Sequence, residues 1–257
     1  MDKELELKNK LKDNGIDEKY YDYLFKYLSD KGKIEDAVLE LINGRPIQYI
    51  TGNVEFYNSV INVNESVLIP RFETELLVDK LVKYVKNKFS SKIDMLDMCT
   101  GSGCIAISLK KEIDCNIDAV DISKEALEVA RDNAKNNNVV INFIESDLFN
   151  NVNSKYDVIV SNPPYIAYSE DIMSLVKDNE PNIALYAKDN GLYFYKEIIS
   201  NVKPFLKDEF IIAFEIGMTQ ADEVVEIINN KLSNVEVIVE KDYNDRDRFI
   251  FIFSKNS

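Results

Sequence analysis

Asp97-Met98-Cys99-Thr100-Gly101-Ser102-Gly103-Cys104-Ile105-Ala106 is the stretch on which the fold turns. The run from Ile93 to Met98 reads as a buried strand, and the residues after Gly103 read as the start of a helix. The two glycines let the chain turn tightly and approach a ligand without Cβ interference, and the helix N-terminus offers free N–H groups. With Ala106 in the third place the run fits Gly-x-Gly-x-x-Ala. Asp121 stands 20 residues after Gly101, at the end of the next expected strand, where an acid accepts hydrogen bonds from ribose hydroxyls. Both signals indicate a nucleoside-containing ligand; they do not choose between a nicotinamide cofactor and S-adenosylmethionine.

Working outward, strands and helices alternate from Lys92 onward, the pattern of a parallel sheet covered on both faces. The spacing predicts seven strands near residues 93–98, 116–121, 139–144, 156–161, 209–215, 235–240 and 247–253, with Ala126 to Asn136 and Ala221 to Asn230 the clearest helices. The last two strands leave no room for a helix between them, so the sheet is expected to end in an antiparallel pair. Upstream, Glu73 to Phe89 is helical, with Leu77, Leu81 and Val85 on one face. Val54 to Val63 reads as a β-hairpin. Before it, residues 3 to about 43 carry three helices broken at Gly15 and Gly32, with Asp17 capping the second and Ile34 to Ile42 forming the third. The expected organisation is a short helical domain (1–43), a linker with a hairpin (44–72) and an α/β domain (73–257).

Composition narrows the function. A chain of 257 residues, 46% hydrophobic and 30% charged, is an ordinary soluble globular protein with material for a sizeable core. Its net charge of -14 argues against a surface that grips nucleic-acid phosphates. No histidine is present, which removes Ser-His-Asp and Cys-His catalysis and histidine-ligated metals together. Cys99, Cys104 and Cys115 form no Cys-x-x-Cys pair and read as free thiols in a reducing compartment. Neither a signal core nor a membrane-length apolar run stands out, and a cytoplasmic protein without a metal is expected.

The second decisive stretch is Val158-Ile159-Val160-Ser161-Asn162-Pro163-Pro164-Tyr165, a buried strand that stops at Asn162. Two prolines lack N–H groups and fix φ, so the chain continues as a stiff extended rim whose carbonyls, with the Asn162 side chain, offer acceptors. Such a rim suits an NH₂ group, and Tyr165 adds a flat face for a planar amide or base. The plain alternative is a strand-ending Asx turn. This strand is the fourth of the sheet, so its tip lies beside the glycine loop at the topological switch point. That juxtaposition, the antiparallel ending and the missing histidine favour S-adenosylmethionine over a nicotinamide.

These features together resemble the HemK-type protein-(glutamine-N5) methyltransferases that modify peptide-chain release factors. The resemblance runs from Gly44 to Phe253. It rests on Gly44-Arg45-Pro46, Ile69-Pro70-Arg71 with Glu73-Thr74-Glu75, the glycine loop, Val120-Asp121, Ser146-Asp147-Leu148-Phe149, Asn162-Pro163-Pro164-Tyr165, Glu180-Pro181, Asp189-Asn190-Gly191-Leu192 and Glu215-Ile216-Gly217. It implies a Rossmann-like, S-adenosylmethionine-dependent methyltransferase. Thr100, Gly101, Ser102 and Gly103 would hold the methionine part, Asp121 the ribose, and Leu148 after Asp147 the adenine. Cys99 stands where the family often has glycine.

A glutamine amide nitrogen is a poor nucleophile, because its lone pair is delocalised into the carbonyl. The resemblance implies that Asn162 Oδ1 and the Pro163 carbonyl each accept one amide hydrogen, with Pro164 and Tyr165 completing the rim, and that positive charge growing on the nitrogen strengthens these bonds. The same features leave room for a ribosomal-protein glutamine or an exocyclic base amine as acceptor. A dinucleotide-dependent oxidoreductase or a non-catalytic cofactor-binding module is the alternative of another class. Glu73 and Glu75 suit the dipole of the helix they open, Arg71 is a candidate bridge between domains, and Glu215 a candidate anchor for the neighbouring strand end.

Overall fold

The computed structural model describes residues 3–255. Three helices open it: α1 (Lys3–Asp13), α2 (Lys19–Tyr27) and α3 (Ile34–Ile42). Gly15 takes a φ of +74° after α1, and the Asp17 carboxylate accepts the Lys19 N–H at 2.9 Å, while the residue at the N-cap of α2 is Glu18, whose side chain makes no capping bond, and not Asp17 as expected. Leu7, Leu11, Tyr21, Leu24 and Val38 form a small core that Ile47 joins. Ile47 belongs to α4 (Ile47–Thr51), which the sequence does not predict. Two isoleucines and a threonine in five residues carry little helix propensity; Pro46 before them and Gly52 at φ +75° after them delimit the turn.

Next come the hairpin β1 (Asn53–Phe56) and β2 (Ser59–Asn62), then α5 (Phe72–Lys88), whose Leu77, Leu81 and Val85 are buried as the one-sided spacing demands. The α/β body follows as β3 (Ile93–Met98), α6 (Cys104–Glu112), β4 (Cys115–Asp121), α7 (Lys124–Asn136), β5 (Asn142–Glu145) and β6 (Tyr156–Ser161). A small-element region holds β7 (Ile166–Ala167), α8 (Ser174–Lys177), α9 (Asn182–Leu185), β8 (Tyr186–Ala187) and α10 (Tyr193–Asn201). The chain then gives β9 (Leu206–Glu215), α11 (Ala221–Lys231), β10 (Val235–Lys241) and β11 (Asp247–Ser254).

Seven strands share one sheet in the order β10-β11-β9-β6-β3-β4-β5. Strand β11 inserts between β10 and β9 and runs antiparallel to both, while the other five strands pair in parallel. This is the expected Rossmann-like methyltransferase sheet. Alternate residues feed opposite faces: Met95, Val158 and Val160 join the core under α5 and α6, and Leu96, Ile159 and Ile212 join the core under α10 and α11. Each such buried side chain contributes roughly 1.5–3 kcal/mol.

The expected strand at 139–144 forms only at Asn142–Glu145. The preceding residues are spent on closing α7, where Asn138 adopts φ +56° and the Val139 N–H returns to the Ala134 carbonyl at 3.0 Å. The hairpin shares the first of the two cores through Phe56 and Ile61. Asn133 staples it to α7: the side-chain carbonyl accepts the Asn62 N–H at 2.7 Å, and the amide donates to the Asn62 and Ser102 carbonyls at 2.9 and 3.0 Å.

Candidate active site

Met98 and Ser161 are register partners in parallel strands, and the Ser161 hydroxyl donates to the Met98 carbonyl at 2.7 Å. The chain therefore leaves the sheet from neighbouring strand ends, as the glycine loop on one side and as Asn-Pro-Pro-Tyr on the other. The strand order reverses at this point, which in open α/β sheets opens a crevice. A cavity of about 290 Å³ occupies it, walled by Thr100, Gly101, Ser102, Asp121, Asp147, Leu148, Asn162 and Pro164.

The glycine loop is closed largely upon itself. Asp97 is fully buried at the tip of β3, and one carboxylate oxygen accepts from the Thr100 hydroxyl at 2.6 Å and from the Ala106 N–H at 3.2 Å. Its other oxygen has no hydrogen-bond partner, and burial pushes the carboxyl up to about 7. Gly101 sits at φ +52° with nothing within 4 Å of where a Cβ would stand. Gly103 sits at φ +80° against Ala130 of α7, so its missing side chain serves helix packing and it is not on the cavity wall. Cys99, at φ +61°, occupies the left-handed region that a glycine adopts without strain.

Asp121 ends β4 on the cavity wall. It accepts the Gly101 N–H at 2.8 Å with one carboxylate oxygen and the Ser123 N–H at 2.9 Å with the other, so each oxygen keeps a lone pair for a further donor. Burial raises its pKa against these bonds. Val120, Ile122, Ala126 and Leu148 give the same end of the cavity an apolar lining.

The opposite wall is held from far away in sequence. The Asn162 amide donates to the Thr74 hydroxyl at 3.1 Å, which donates to the Glu215 carboxylate at 2.7 Å. Glu215 is 1% exposed; burial pushes it up to about 7, opposed by its bond from Thr74, by the charge of Arg248 and, least, by the nearby Asn162 amide. Tyr165 lies beyond the wall, partly buried in the core under α10, and burial pushes its phenol up. Its carbonyl accepts from the Gln220 amide at 2.9 Å. A Cβ on Gly191, at φ +86°, would come within 2.1 Å of that carbonyl. Pro163 is buried and, like Tyr165, is not part of the cavity lining.

The linker roofs the cavity through Ser66, Val67, Leu68, Pro70 and Arg71. Glu180, 5% exposed, fastens that roof by accepting the Ile69 N–H at 3.0 Å and pairing with the Arg71 guanidinium. Arg71 thus bridges the linker to the segment after β7, and Glu215 does anchor a strand end, through Thr74. Glu73 and Glu75 stand in the first turn of α5. Reading the sequence alone misses Thr74 and Gln220 and gives Glu180 no role; their only signal is membership in the short motifs around them. Among the described residues no group of three or more His, Cys, Asp or Glu could hold a metal, and no helix is long and apolar enough to cross a membrane.

The sheet, with β11 inserted antiparallel between β10 and β9, and its switch-point cavity are of the Rossmann-like kind, and the family profile of the methyltransferase small domain matches residues 72–179, which sets the class as methyltransferase. The ribosomal protein L11 methylase of Lactobacillus delbrueckii subsp. bulgaricus has the same fold, with a TM-score of 0.54 at 19% identity over 72% of this chain and 79% of that one. The release factor glutamine methyltransferase of Streptococcus pneumoniae is 39% identical over 87% of this chain and 80% of that protein. That of Bacillus subtilis is 41% identical over 80% and 75%. The chain belongs to the release factor glutamine methyltransferase family, which removes the oxidoreductase alternative.

Proposed function

We propose that this chain transfers the methyl group of S-adenosylmethionine to the side-chain amide nitrogen of a glutamine in peptide-chain release factors, leaving S-adenosylhomocysteine. The observation that carries the reading is the Met98–Ser161 pairing, which brings Asn162 to the edge of the glycine-loop cavity. The residues present fit the cofactor: Asp121 keeps acceptor capacity for a ribose diol, Leu148, Ile122 and Ala126 flank an apolar slot for a base, and Thr100, Gly101, Ser102 and Asp147 line the rest. When bound there, S-adenosylmethionine supplies an electrophilic methyl carried on a sulfonium.

The chain's own part is orientation and charge. Asn162 Oδ1 accepts one hydrogen of the substrate amide at the cavity wall, and the carbonyl of Pro163, which the cavity lining does not include, is the acceptor for the other; both bonds tighten as positive charge develops on the nitrogen, so they stabilise the transition state more than the ground state. The Pro163-Pro164 rim loses little entropy in doing so, because its φ angles are already fixed. The proton leaves to water afterwards, which suits a site without histidine. A cytoplasmic setting follows from such a partner and accords with three free thiols.

The test is incubation with labelled S-adenosylmethionine and purified release factors, followed by mass spectrometry of the tryptic peptide that carries the Gly-Gly-Gln glutamine. One methyl on that glutamine is expected, and its loss by about 100-fold or more in rate for Asn162→Ala. Absence of label on every release factor overturns the substrate assignment.

A further inference from the structure

An asparagine amide has an accepting end and a donating end, and the clamp works only when the accepting end meets the substrate. Nothing in Asn162 itself chooses between the two. Its neighbours do. The Thr74 hydroxyl owns a single proton, and that proton is committed to the Glu215 carboxylate at 2.7 Å. What Thr74 has left for Asn162 is a lone pair, which takes the amide Nδ2 at 3.1 Å. Turning the amide over would set two oxygen lone pairs against each other.

We propose that Glu215, acting through Thr74, is the positioning residue that keeps Asn162 Oδ1 toward the substrate amide, and that transfer requires Glu215 to be ionised. The proposal rests on the reading of Asn162 as the amide clamp. A protonated Glu215 can itself donate to Thr74, which frees the Thr74 proton for Asn162. The asparagine then turns, and its NH₂ faces a substrate that also needs to donate.

The surroundings of Glu215 make its protonation accessible. Glu73 on α5 opposes ionisation, whereas the Arg248 guanidinium on β11 favours it. The remaining titratable neighbours are Tyr165 after β6, Tyr195 on α10, whose hydroxyl donates to the Glu215 main-chain carbonyl at 2.8 Å, and Cys104 on α6. All three are neutral near pH 7, their pKa values being raised by burial. Burial outweighs the opposing effects of Thr74, Arg248 and Asn162, and pushes the Glu215 carboxyl up to about 7.

Single-turnover methylation of a release factor is measured from pH 6 to 9 for the wild type, Thr74→Val, Thr74→Ser, Glu215→Gln and Asn162→Ala. Binding of S-adenosylhomocysteine is followed by calorimetry, and the Glu215 carboxyl by ¹³C NMR of the free protein. The wild-type rate is expected to rise with pH through the Glu215 transition, with one carboxyl resonance that is missing in Glu215→Gln titrating in step. Thr74→Val is expected to be at least about 30-fold slower with product affinity held within about threefold, Thr74→Ser to recover most of that loss, and Glu215→Gln to be slow with a flat profile. Thr74→Val within about threefold of wild type, or a wild-type pH limb in Glu215→Gln, overturns the proposal. If Asn162→Ala is inactive in that case, the clamp stands and only the positioning role falls. An active Asn162→Ala overturns both.

Discussion

The two loops that face each other across the cavity are held by opposite kinds of contact. The glycine loop after β3 is fastened by near neighbours: Asp97 takes Thr100 and Ala106, and Asp121 takes Gly101. The Asn-Pro-Pro-Tyr loop after β6 is fastened by strangers: Asn162 is separated from Thr74 by 88 positions and Tyr165 from Gln220 by 55. The first is a self-contained cradle that a short motif can encode. The second has no hydrogen-bonding N–H on its prolines and borrows its rigidity from α5, β9 and α11.

Glycine substitutions break this comparison most sharply. Gly191→Ala puts a methyl 2.1 Å from the Tyr165 carbonyl at φ +86°. The expected loss is roughly 2–4 kcal/mol of stability, backbone strain and overpacking combined. Gly101→Ala meets no protein atom within 4 Å, so urea denaturation should register only about 1 kcal/mol while cofactor affinity drops, its Cβ standing at the cavity wall. Equal stabilities for the two variants would mean that the second loop is not braced from below.

The next largest effect isolates the cofactor side. Asp121→Ala removes the acceptor for Gly101 and Ser123 and the capacity left for a ribose. By calorimetry, S-adenosylhomocysteine binding is expected to weaken about 10- to 100-fold, the worth of hydrogen bonds to a charged group. Saturating cofactor should restore most of the rate. Asn162→Ala should behave in the reverse manner, so similar defects in binding and rate for the two variants would erase the division of labour.

The same contrast explains what could be read before the structure. Strand–glycine–helix order, Asp121 at the next strand end and the fourth strand's position all follow from local patterning, because periodicity and turn chemistry are local. Seven strands and their antiparallel ending were legible for that reason. What was not legible is local structure without periodicity and contact without proximity. The short elements between β6 and α10 have two to four residues each, too few to show a period. Thr74 reads as an ordinary helix residue until β9 brings Glu215 to it, and Glu180 reads as a surface acid until the linker folds over it. Cys99 shows the intermediate case: its place just ahead of the glycine loop is visible in sequence, but its φ of +61° is not.

The smallest effect concerns the two buried carboxyls, one behind each loop. Asp97 and Glu215 are both pushed up to about 7 by burial, whereas in the unfolded chain carboxyls titrate at about 4. A folded state that holds its protons more tightly is favoured at low pH. The contribution of this pair is therefore full below about pH 4, is lost progressively as pH rises, and is gone above the folded pKa. Denaturation midpoints should accordingly fall as pH rises from about 4 to about 7 and level off above that. Asp97→Asn and Glu215→Gln should each flatten part of that slope. Only Glu215→Gln should also flatten the pH dependence of transfer, because only Glu215 is wired to Asn162, and there the two slopes have opposite signs: ionisation weakens the fold and aligns the clamp. If Asp97→Asn changes the activity profile as well, the loops are electrically one unit and their separate construction has no functional meaning.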